Sequence, residues 1–443
     1  MHAVVNRLAT AVLSRTLRGL GDGCLEVWIG EAPLAFGDPA ARRRAVVRVW
    51  DPRVFRRVLV DGDVGFGDAY VDGDWSSPDL VGVLRLAVRN LALFEDSNRV
   101  WSAVSRWRGR VAHRLRANTR SGSRRNIHAH YDLGNEFYEL FLDPSMAYSC
   151  GIYPRASSSL EDAQEEKFDR ICRKLRLGPS DHVLEIGTGW GGFAAWAARR
   201  YGCRVTTTTI SVAQYAYAAA LFARLGLGPD RVRLLLEDYR DLSGRFDKIV
   251  SIEMFEAVGH RHYDAFFGQA QRLLGPDGTL LLQMITVPDQ RFARYLAAPD
   301  WIQQRVFPGA ELASVGRVLE SVARVTRLSL YHLEEIGAHY ARTLQAWRER
   351  FLGAADRVRA LGFDERFIRT WEYYLAACEA AFLERQIGDV QLVLASNRTT
   401  RALMDEPWPA EGDCRPAAGD GRAAIPSAAA CGRPAPDRAA APA

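Results

Sequence analysis

The residues best suited to chemistry gather around one glycine-rich run, His182-Val-Leu-Glu-Ile-Gly-Thr-Gly-Trp-Gly-Gly192, which the helical pattern Phe193–Tyr201 follows. A short apolar strand that passes into glycines and then a helix lets backbone N–H groups approach a polar or anionic ligand at the positive end of that helix. Gly187, Gly189 and Gly192 satisfy the dinucleotide pattern literally, so the glycines alone do not name the ligand. A dinucleotide site needs an acid about 20 residues further on to hold the ribose hydroxyls. There the chain reads Arg204-Val-Thr-Thr-Thr-Thr-Ile-Ser211, without an acid, which argues against a nicotinamide cofactor.

The elements around this loop alternate between strand and helix from about residue 130 to 396, as a parallel-sheet α/β domain should. A third strand, Val232–Leu236, ends in Glu237-Asp238-Tyr239, where an acid and an aromatic can hydrogen-bond and stack an adenine. A fourth, Lys248–Ile252, is followed by Glu253-Met-Phe-Glu256-Ala-Val-Gly259. A fifth, Thr279–Ile285, follows the turn Gly275-Pro-Asp-Gly278, and Val390–Ala395 is the last. This arrangement favours the methyltransferase variant of the fold. Ligands in such sheets lie beyond the carboxyl ends of the strands, so Gly187, Tyr239, Glu256 and Gln283 are expected around one crevice.

The remainder of the chain sets bounds on the setting. A length of 443 residues has room for two domains. Residues 1–97 read as a small α+β domain, with β-like runs at Leu25–Ile29 and Ala45–Val49 before a turn-rich stretch, Asp61–Trp75. Residues 98–129 form a basic linker or amphipathic helix, 130–405 the catalytic domain, and 406–443 a disordered tail of Ala, Pro, Gly and Arg. The net charge of +5 is mild, yet Arg99 to Arg125 holds nine arginines and no acid, interleaved with Trp101 and Trp107. That suits an interfacial helix, with a solvated linker as the alternative; no nucleic-acid partner is expected. No run of about 20 apolar residues occurs, so no membrane-spanning helix is expected. The first 20 residues read poorly as a signal peptide. Seven dispersed cysteines without a CxxC pair point to a reducing cytosol and away from a zinc site. His260 and His262 have no neighbouring ligand set, so no metal is expected.

The runs His130-Tyr-Asp-Leu-Gly-Asn-Glu-Phe-Tyr138, Met146-Ala-Tyr-Ser-Cys-Gly151, Thr209-Ile-Ser-Val-Ala-Gln214, Glu237-Asp-Tyr-Arg-Asp-Leu242, Met254-Phe-Glu-Ala-Val-Gly259, Phe307-Pro-Gly309, Gly337-Ala-His-Tyr340 and Tyr374-Leu-Ala-Ala-Cys378 stand in order around the glycine loop. Over roughly 125–398 the series resembles the cyclopropane-fatty-acyl-phospholipid synthases and the related mycolic-acid cyclopropane synthases. The resemblance implies a Rossmann-like S-adenosylmethionine-dependent methyltransferase domain beside the smaller α+β domain. It implies contacts to S-adenosylmethionine from Tyr148 and Ser149, from Glu185, Gly187, Gly189, Trp190 and Gly191, from Thr209, Ser211 and Gln214, and from Asp238, Tyr239 and Arg240. It also implies a bicarbonate ion beside the reacting alkene, held by Cys150, Glu256, Tyr340 and the backbone near Ile285. Gln283 stands where many members carry a histidine. The loop Gly309-Ala-Glu-Leu-Ala-Ser314 lacks the family's second glycine and its proline, which leaves the loop's shape open.

The implied reaction moves a methylene group from S-adenosylmethionine to the cis double bond of unsaturated phospholipid acyl chains, forming a cyclopropane ring. A lipid C-methyltransferase that leaves a methyl or methylene branch is the enzymatic alternative, and a non-catalytic lipid-binding relative is the other. An isolated alkene is a feeble nucleophile, so the methyl must be held close and in line, which supplies several kcal/mol of the barrier. Ring closure then needs a base. The bicarbonate serves, or Glu256 directly; a helix-end acid is the plain alternative for Glu256, and a packed helix residue for Tyr340. Tyr148, Phe255 and Tyr340 are aromatic faces able to stabilise a cation by about 0.5–2 kcal/mol each. Cys378 lies in a family motif, but apolar neighbours mark it as a packed thiol, since the reaction needs no sulfur nucleophile. The stretch Phe292–Ile302 through Phe307 lines an acyl tunnel or caps its own core. The expected setting is cytoplasmic, at the inner face of a membrane with unsaturated phospholipids as partner; a homodimer remains open.

Overall fold

The computed structural model describes residues 2–93, 133–396 and 399. The arginine segment 98–129, the residues His130 to Asp132 and the tail 406–443 lie outside the described residues.

The inner strands of the central sheet are built mainly from buried aliphatic residues and threonines, as strands covered on both faces require, whereas the edge strand Leu328–Glu335 is largely exposed. In chain order they are β5 (His182–Ile186), β6 (Arg204–Thr208), β7 (Val232–Leu235), β8 (Phe246–Ile252), β9 (Leu274–Thr286), β10 (Leu328–Glu335) and β11 (Gly388–Ser396). Their spatial order is β10-β11-β9-β8-β5-β6-β7. The five strands from β7 to β9 are parallel, whereas β11 runs antiparallel between β9 and β10. The chain therefore winds outward from β5 to β7 and returns at β8, and the reversal falls between β5 and β8. A crevice opens at such a switch point.

Helices α6 (Gly192–Tyr201), α7 (Val212–Arg224) and α8 (Tyr263–Leu273) cross between these strands. Ahead of them comes the one-turn helix α4 (Asn135–Tyr138) and then α5 (Leu160–Leu175), which begins at a capping box of Ser159 and Asp162. After β9 the chain forms α9 (Asp289–Ala297), α10 (Trp301–Arg305) and α11 (Val315–Val325). Between β10 and β11 lie α12 (Gly337–Gly353), α13 (Ala355–Ala360) and α14 (Glu365–Leu383). Phe255, expected as a cation-facing ring, instead packs in the core against Tyr263, Phe266 and Phe267. No described helix is long and apolar enough to cross a membrane.

The N-terminal part is α+β: α1 (His2–Leu17), β1 (Cys24–Ile29), β2 (Ala32–Gly37), β3 (Arg44–Val49), α2 (Arg53–Val71), β4 (Trp75–Ser76) and α3 (Leu80–Arg89). Its sheet has the order β2-β1-β3-β4. The stretch Asp61–Trp75, expected to be turns, is mostly the second half of α2, interrupted only at Gly62 (φ 59°). Burial of Val64, Ala69, Tyr70 and Val71 outweighs the weak helix preference of its glycines. Gly67 is there for contact: a Cβ would lie 2.6 Å from the Trp301 ring. Trp301 Nε1 and Arg305 both donate to Asp68, and Tyr70 donates to Glu372 of α14 at 2.7 Å. The stretch around Trp301 thus pins α2 rather than standing free.

Gly67→Val forces a branched side chain into the Trp301 ring, and overpacking of this kind costs about 1–3 kcal/mol. The expected outcome is a lower urea midpoint with an unchanged slope; a midpoint equal to wild type would show that the contact is dispensable.

Candidate active site

The carboxyl ends of β5, β6, β7 and β8 open into a crevice of about 1180 Å³, its open mouth included. Three successive left-handed glycines carry the chain from β5 into α6: Gly187, Gly189 and Gly191, with φ of 102°, 53° and 95°. They differ in what surrounds them. A Cβ on Gly187 would meet Met254 and one on Gly191 the Phe222 ring, each at 3.0 Å, whereas one on Gly189 would point into open space. No side chain caps the N-terminus of α6, so its first N–H groups remain available to a ligand.

Side chains on each strand end complete the walls. Glu185, at the end of β5, is 2% exposed and accepts from Thr207 Oγ1 at 2.5 Å. Burial pushes its carboxyl up to about 8, so it is protonated at neutral pH and able to donate. Beyond β6, Thr209 donates to Gln214 at 2.9 Å and Ser211 caps α7. Beyond β7, Asp238 and Arg240 form a two-pronged ion pair at 2.8 and 2.6 Å, and Tyr239 packs edge-on against Phe266. On the opposite wall, Tyr148 and Tyr374 share a hydroxyl contact of 2.9 Å, and Trp190 donates to Asn135. The fully buried Lys167 donates to Ser149 Oγ at 2.6 Å. Of the residues the sequence singled out for the methyl donor, all line this crevice except Gly191 and Ser211, which shape the loop and α7 behind it.

Glu256 and Gln283, expected around the same crevice, are absent from its lining, as are the implied bicarbonate holders Cys150, Ile285 and Tyr340 and the packed thiol Cys378, whereas Glu253 is part of it. Glu253 sits immediately after β8 in a left-handed conformation, φ 47°, and its N–H donates to the Gln283 carbonyl at 2.8 Å. A non-glycine residue held this way costs of order 1–3 kcal/mol, which the surrounding structure must offset. Its side chain is the acceptor on which three elements converge. Oε1 accepts from the Cys150 N–H and from Gln283 Nε2, both at 2.8 Å, and Oε2 accepts from Tyr340 OH at 2.6 Å.

Glu256 has a different environment. It is buried, accepts from the Ile285 N–H at 2.6 Å, and its Oε2 has no partner among the described residues. Burial, then the charge of Glu253, raise its carboxyl to about 8. Asp389, fully buried, is pushed well above the usual carboxylate range by burial first and Glu253 second. Burial also raises the Cys150 and Cys378 thiols, which makes poor nucleophiles of both. His260 pairs with Glu311 at 2.9 Å. Sequence reasoning passed over Glu253, Lys167 and Asp389. A usable signal existed for Glu253: two acids three residues apart follow β8, and only one of them directly ends the strand.

The crevice fits a ligand with a polar amino-acid end, an adenosine end and a reactive centre between them. It combines an open cradle at Gly189, an uncapped helix start, and the acid, aromatic and arginine of Asp238 to Arg240. It does not fit a bicarbonate. The Cys150 N–H and Tyr340 OH are already engaged by Glu253, the Ile285 N–H by Glu256, and an added anion would lie against the Glu253 charge.

The model of the family described as mycolic acid cyclopropane synthetase matches residues 118–392. The chain belongs to this family. It is 39% identical over 359 residues to the cyclopropane-fatty-acyl-phospholipid synthase of Escherichia coli K12, covering 79% of this chain and 88% of the other. It is 37% identical over 338 residues to the tuberculostearic acid methyltransferase of Mycobacterium tuberculosis, covering 74% and 77%. The structure of a Mycobacterium tuberculosis cyclopropane synthase aligns with a TM-score of 0.58 at 33% identity, over 62% of this chain and 98% of that one. A mycolic acid cyclopropane synthase solved with SAH and CTAB aligns equally well, also at 0.58 and 33%. The protein is an S-adenosylmethionine-dependent transferase with the Rossmann-like methyltransferase fold.

Within that family setting, a Cβ at Gly189 enters open cradle space, and the cost of a side chain there is the left-handed backbone, of order 1–3 kcal/mol. Gly189→Val should lower the melting temperature accordingly and, in protein that is still folded, lose measurable S-adenosylmethionine binding in calorimetry. Unchanged affinity in a folded variant would remove the glycine loop from the donor site.

Proposed function

We propose that this enzyme alkylates the cis double bond of unsaturated phospholipid acyl chains and closes a cyclopropane ring, with Glu253 as the base. The observation that carries this reading is the Glu253 carboxylate, at the crevice wall and held by three donors. The bound donor supplies an electrophilic methyl group on a sulfonium. The residues from Gly187 to Trp190 and from Asp238 to Arg240 would hold it, and Tyr148 and Ser149 would close the opposite wall. The alkene π pair forms the new carbon–carbon bond as the carbon–sulfur bond breaks, its electron pair staying on sulfur. A positive charge then rests on the neighbouring acyl carbon. Glu253 takes a proton from the transferred carbon, and the electron pair of that C–H bond closes the ring.

Glu253 suits this task because three donors hold its carboxylate at the crevice wall, beside the buried Glu256 and Asp389. Burial pushes the Glu256 and Asp389 carboxyls up, and the neighbouring Glu253 adds to the rise in both. A fixed carboxylate also does the work that the resemblance gives to bicarbonate. The ring of Tyr148, which lines the crevice, is the aromatic face nearest in role to a cation stabiliser, at about 0.5–2 kcal/mol. Membrane docking would fall to Arg99–Arg125, at about 1 kcal/mol for each arginine near an anionic surface.

A second reading is favoured by the likeness to the tuberculostearic acid methyltransferase. In it a hydride shifts along the chain before Glu253 removes the proton, which leaves a methylene branch instead of a ring.

Expression in a host without its own synthase tests the reading. Its lipids should gain the mass of one CH₂, and NMR of the product separates ring protons from an exocyclic methylene. Unmodified lipids, with the protein folded and the donor bound, would sink both readings. In purified enzyme, Glu253→Gln should lower turnover about 10²–10⁴-fold with little change in donor affinity. Glu256→Gln replaces a neutral carboxyl by a neutral amide and should stay within about tenfold of wild type. Turnover in CO₂-depleted buffer should match that in bicarbonate; a dependence on added bicarbonate would return the base role to the ion.

A further inference from the structure

A line of buried polar side chains runs from the Glu253 carboxylate along one face of the sheet to the buried face of α5. Gln283 Nε2 donates to Glu253 Oε1 at 2.8 Å, Gln391 Nε2 donates to Gln283 Oε1 at 3.0 Å, and Lys174 Nζ donates to Gln391 Oε1 at 2.7 Å. The lysine also donates to Glu334 Oε2 at 2.6 Å, where β10 reaches partial exposure. Both glutamines are fully buried, and they are direct partners across the β9–β11 ladder. Cross-strand neighbours on one face meet side by side, which puts the two amides end to end.

We propose that Lys174 is a positioning residue for the base: by donating to Gln391 it sets the direction of two buried amides in series and so makes Gln283 present an N–H to Glu253. An amide has one accepting end and one donating end, whereas an ammonium only donates. With Lys174 fixed on Gln391 Oε1, the Gln391 nitrogen must face Gln283, and the Gln283 nitrogen must face the carboxylate. Reversing either amide sets oxygen against oxygen or leaves a buried N–H unmatched, and no solvent is at hand to relieve it. Without the cation, either direction of the Gln391–Gln283 pair keeps their mutual hydrogen bond. In the reversed direction the Gln283 oxygen faces the Glu253 carboxylate and repels its charge.

Charged groups from several elements surround Lys174. Burial lowers Lys174, and the Glu334 carboxylate opposes that fall. Arg170 and Arg173 on α5 and His332 on β10 also face this cation. At the other end, Glu253 faces Asp389, Glu256, Cys150, Tyr340 and, further off, Lys167. The Cys150 N–H shares Oε1 with Gln283 and the Tyr340 hydroxyl serves Oε2, so turning the Gln283 amide removes one of three donors and sets an oxygen in its place.

The inference rests on Glu253 being the base, and kinetics on full-length enzyme separate the two claims. Lys174→Met and Gln391→Leu should each lower kcat about tenfold and move the acid limb of the kcat–pH profile up by about one unit, since a carboxylate that loses a donor holds its proton more tightly. The KM and Kd for S-adenosylmethionine should stay within twofold of wild type, and the double variant should add little, because both changes break one relay. Lys174→Arg, which keeps a donor, should restore the limb. Gln391→Leu leaves the Lys174–Glu334 pair in place, so it decides the question even if Lys174→Met folds poorly. A lowered melting temperature with the acid limb unmoved in both variants would overturn the proposal and leave Lys174 a structural ion pair. Glu253→Gln belongs in the same assay: near-wild-type turnover there sinks the base assignment and this proposal together, whereas an inactive Glu253→Gln beside unmoved limbs sinks the proposal alone.

Discussion

One carboxylate gathers three donors beside two other buried acids, and the local architecture follows from how those donors are brought to it. Bringing a carboxylate out of water costs several kcal/mol unless donors replace its hydration. Glu253 receives three, from the loop at Cys150, from β9 and from α12. Hydrogen bonds to a charged group contribute about 1.5–3 kcal/mol each, which is the scale needed. Glu256 and Asp389 lack such a set. Each keeps one oxygen without a partner among the described residues, and burial pushes each carboxyl up. The donors are therefore concentrated on one acid of the three.

The three donors belong to segments far apart in sequence, and the topology explains how they meet. Reversal of strand order between β5 and β8 leaves the end of β8 facing the crevice, beside the glycine loop that ends β5. The left-handed backbone at Glu253 then turns its side chain away from the β8 axis toward Cys150 and Tyr340. A hydrogen bond from the Glu253 N–H to the Gln283 carbonyl ties this strained residue to β9, the strand that also supplies the side-chain donor. Backbone and side chain of one glutamine thus fix both halves of one glutamate.

Six of the seven strands were legible in the sequence because short apolar runs between glycine punctuation have few other readings, whereas β10, a largely exposed edge strand, carries no such run and was missed. The loop from Gly187 to Gly192 was legible from the same punctuation. What local pattern conveyed poorly was the outcome of long-range packing. Glycines at 65 and 67 look like turn signals, but tertiary packing, with Trp301 against Gly67, holds them in a helix, and only Gly62 breaks it. Glu253 and Glu256 lie three residues apart with the same chemistry, and only the strand ending at Ile252 and the donors on distant elements distinguish them. The anomaly that sequence did display went unused: Gln164, Lys167 and Lys174 fall three and seven residues apart on the otherwise apolar face of α5. Lysines on a buried helix face are rare unless paired, and here one reaches Ser149 and the other Gln391.

The N-terminal layer enters the same argument through α14. That helix presents Tyr373 toward α2, where Trp301 and Tyr70 pack on it, and Tyr374 toward the crevice, where its hydroxyl meets Tyr148. Arg369 of α14 donates to the carbonyls of Tyr70 and Trp75, and Glu372 accepts from Tyr70 OH. These polar ties set the rotation of α14 about its axis. A rotation that separated Tyr70 from Glu372 would also carry Tyr374 away from Tyr148, since residues 372 and 374 sit on one rigid helical turn. The N-terminal residues are therefore coupled to a ring at the crevice wall without touching the crevice themselves.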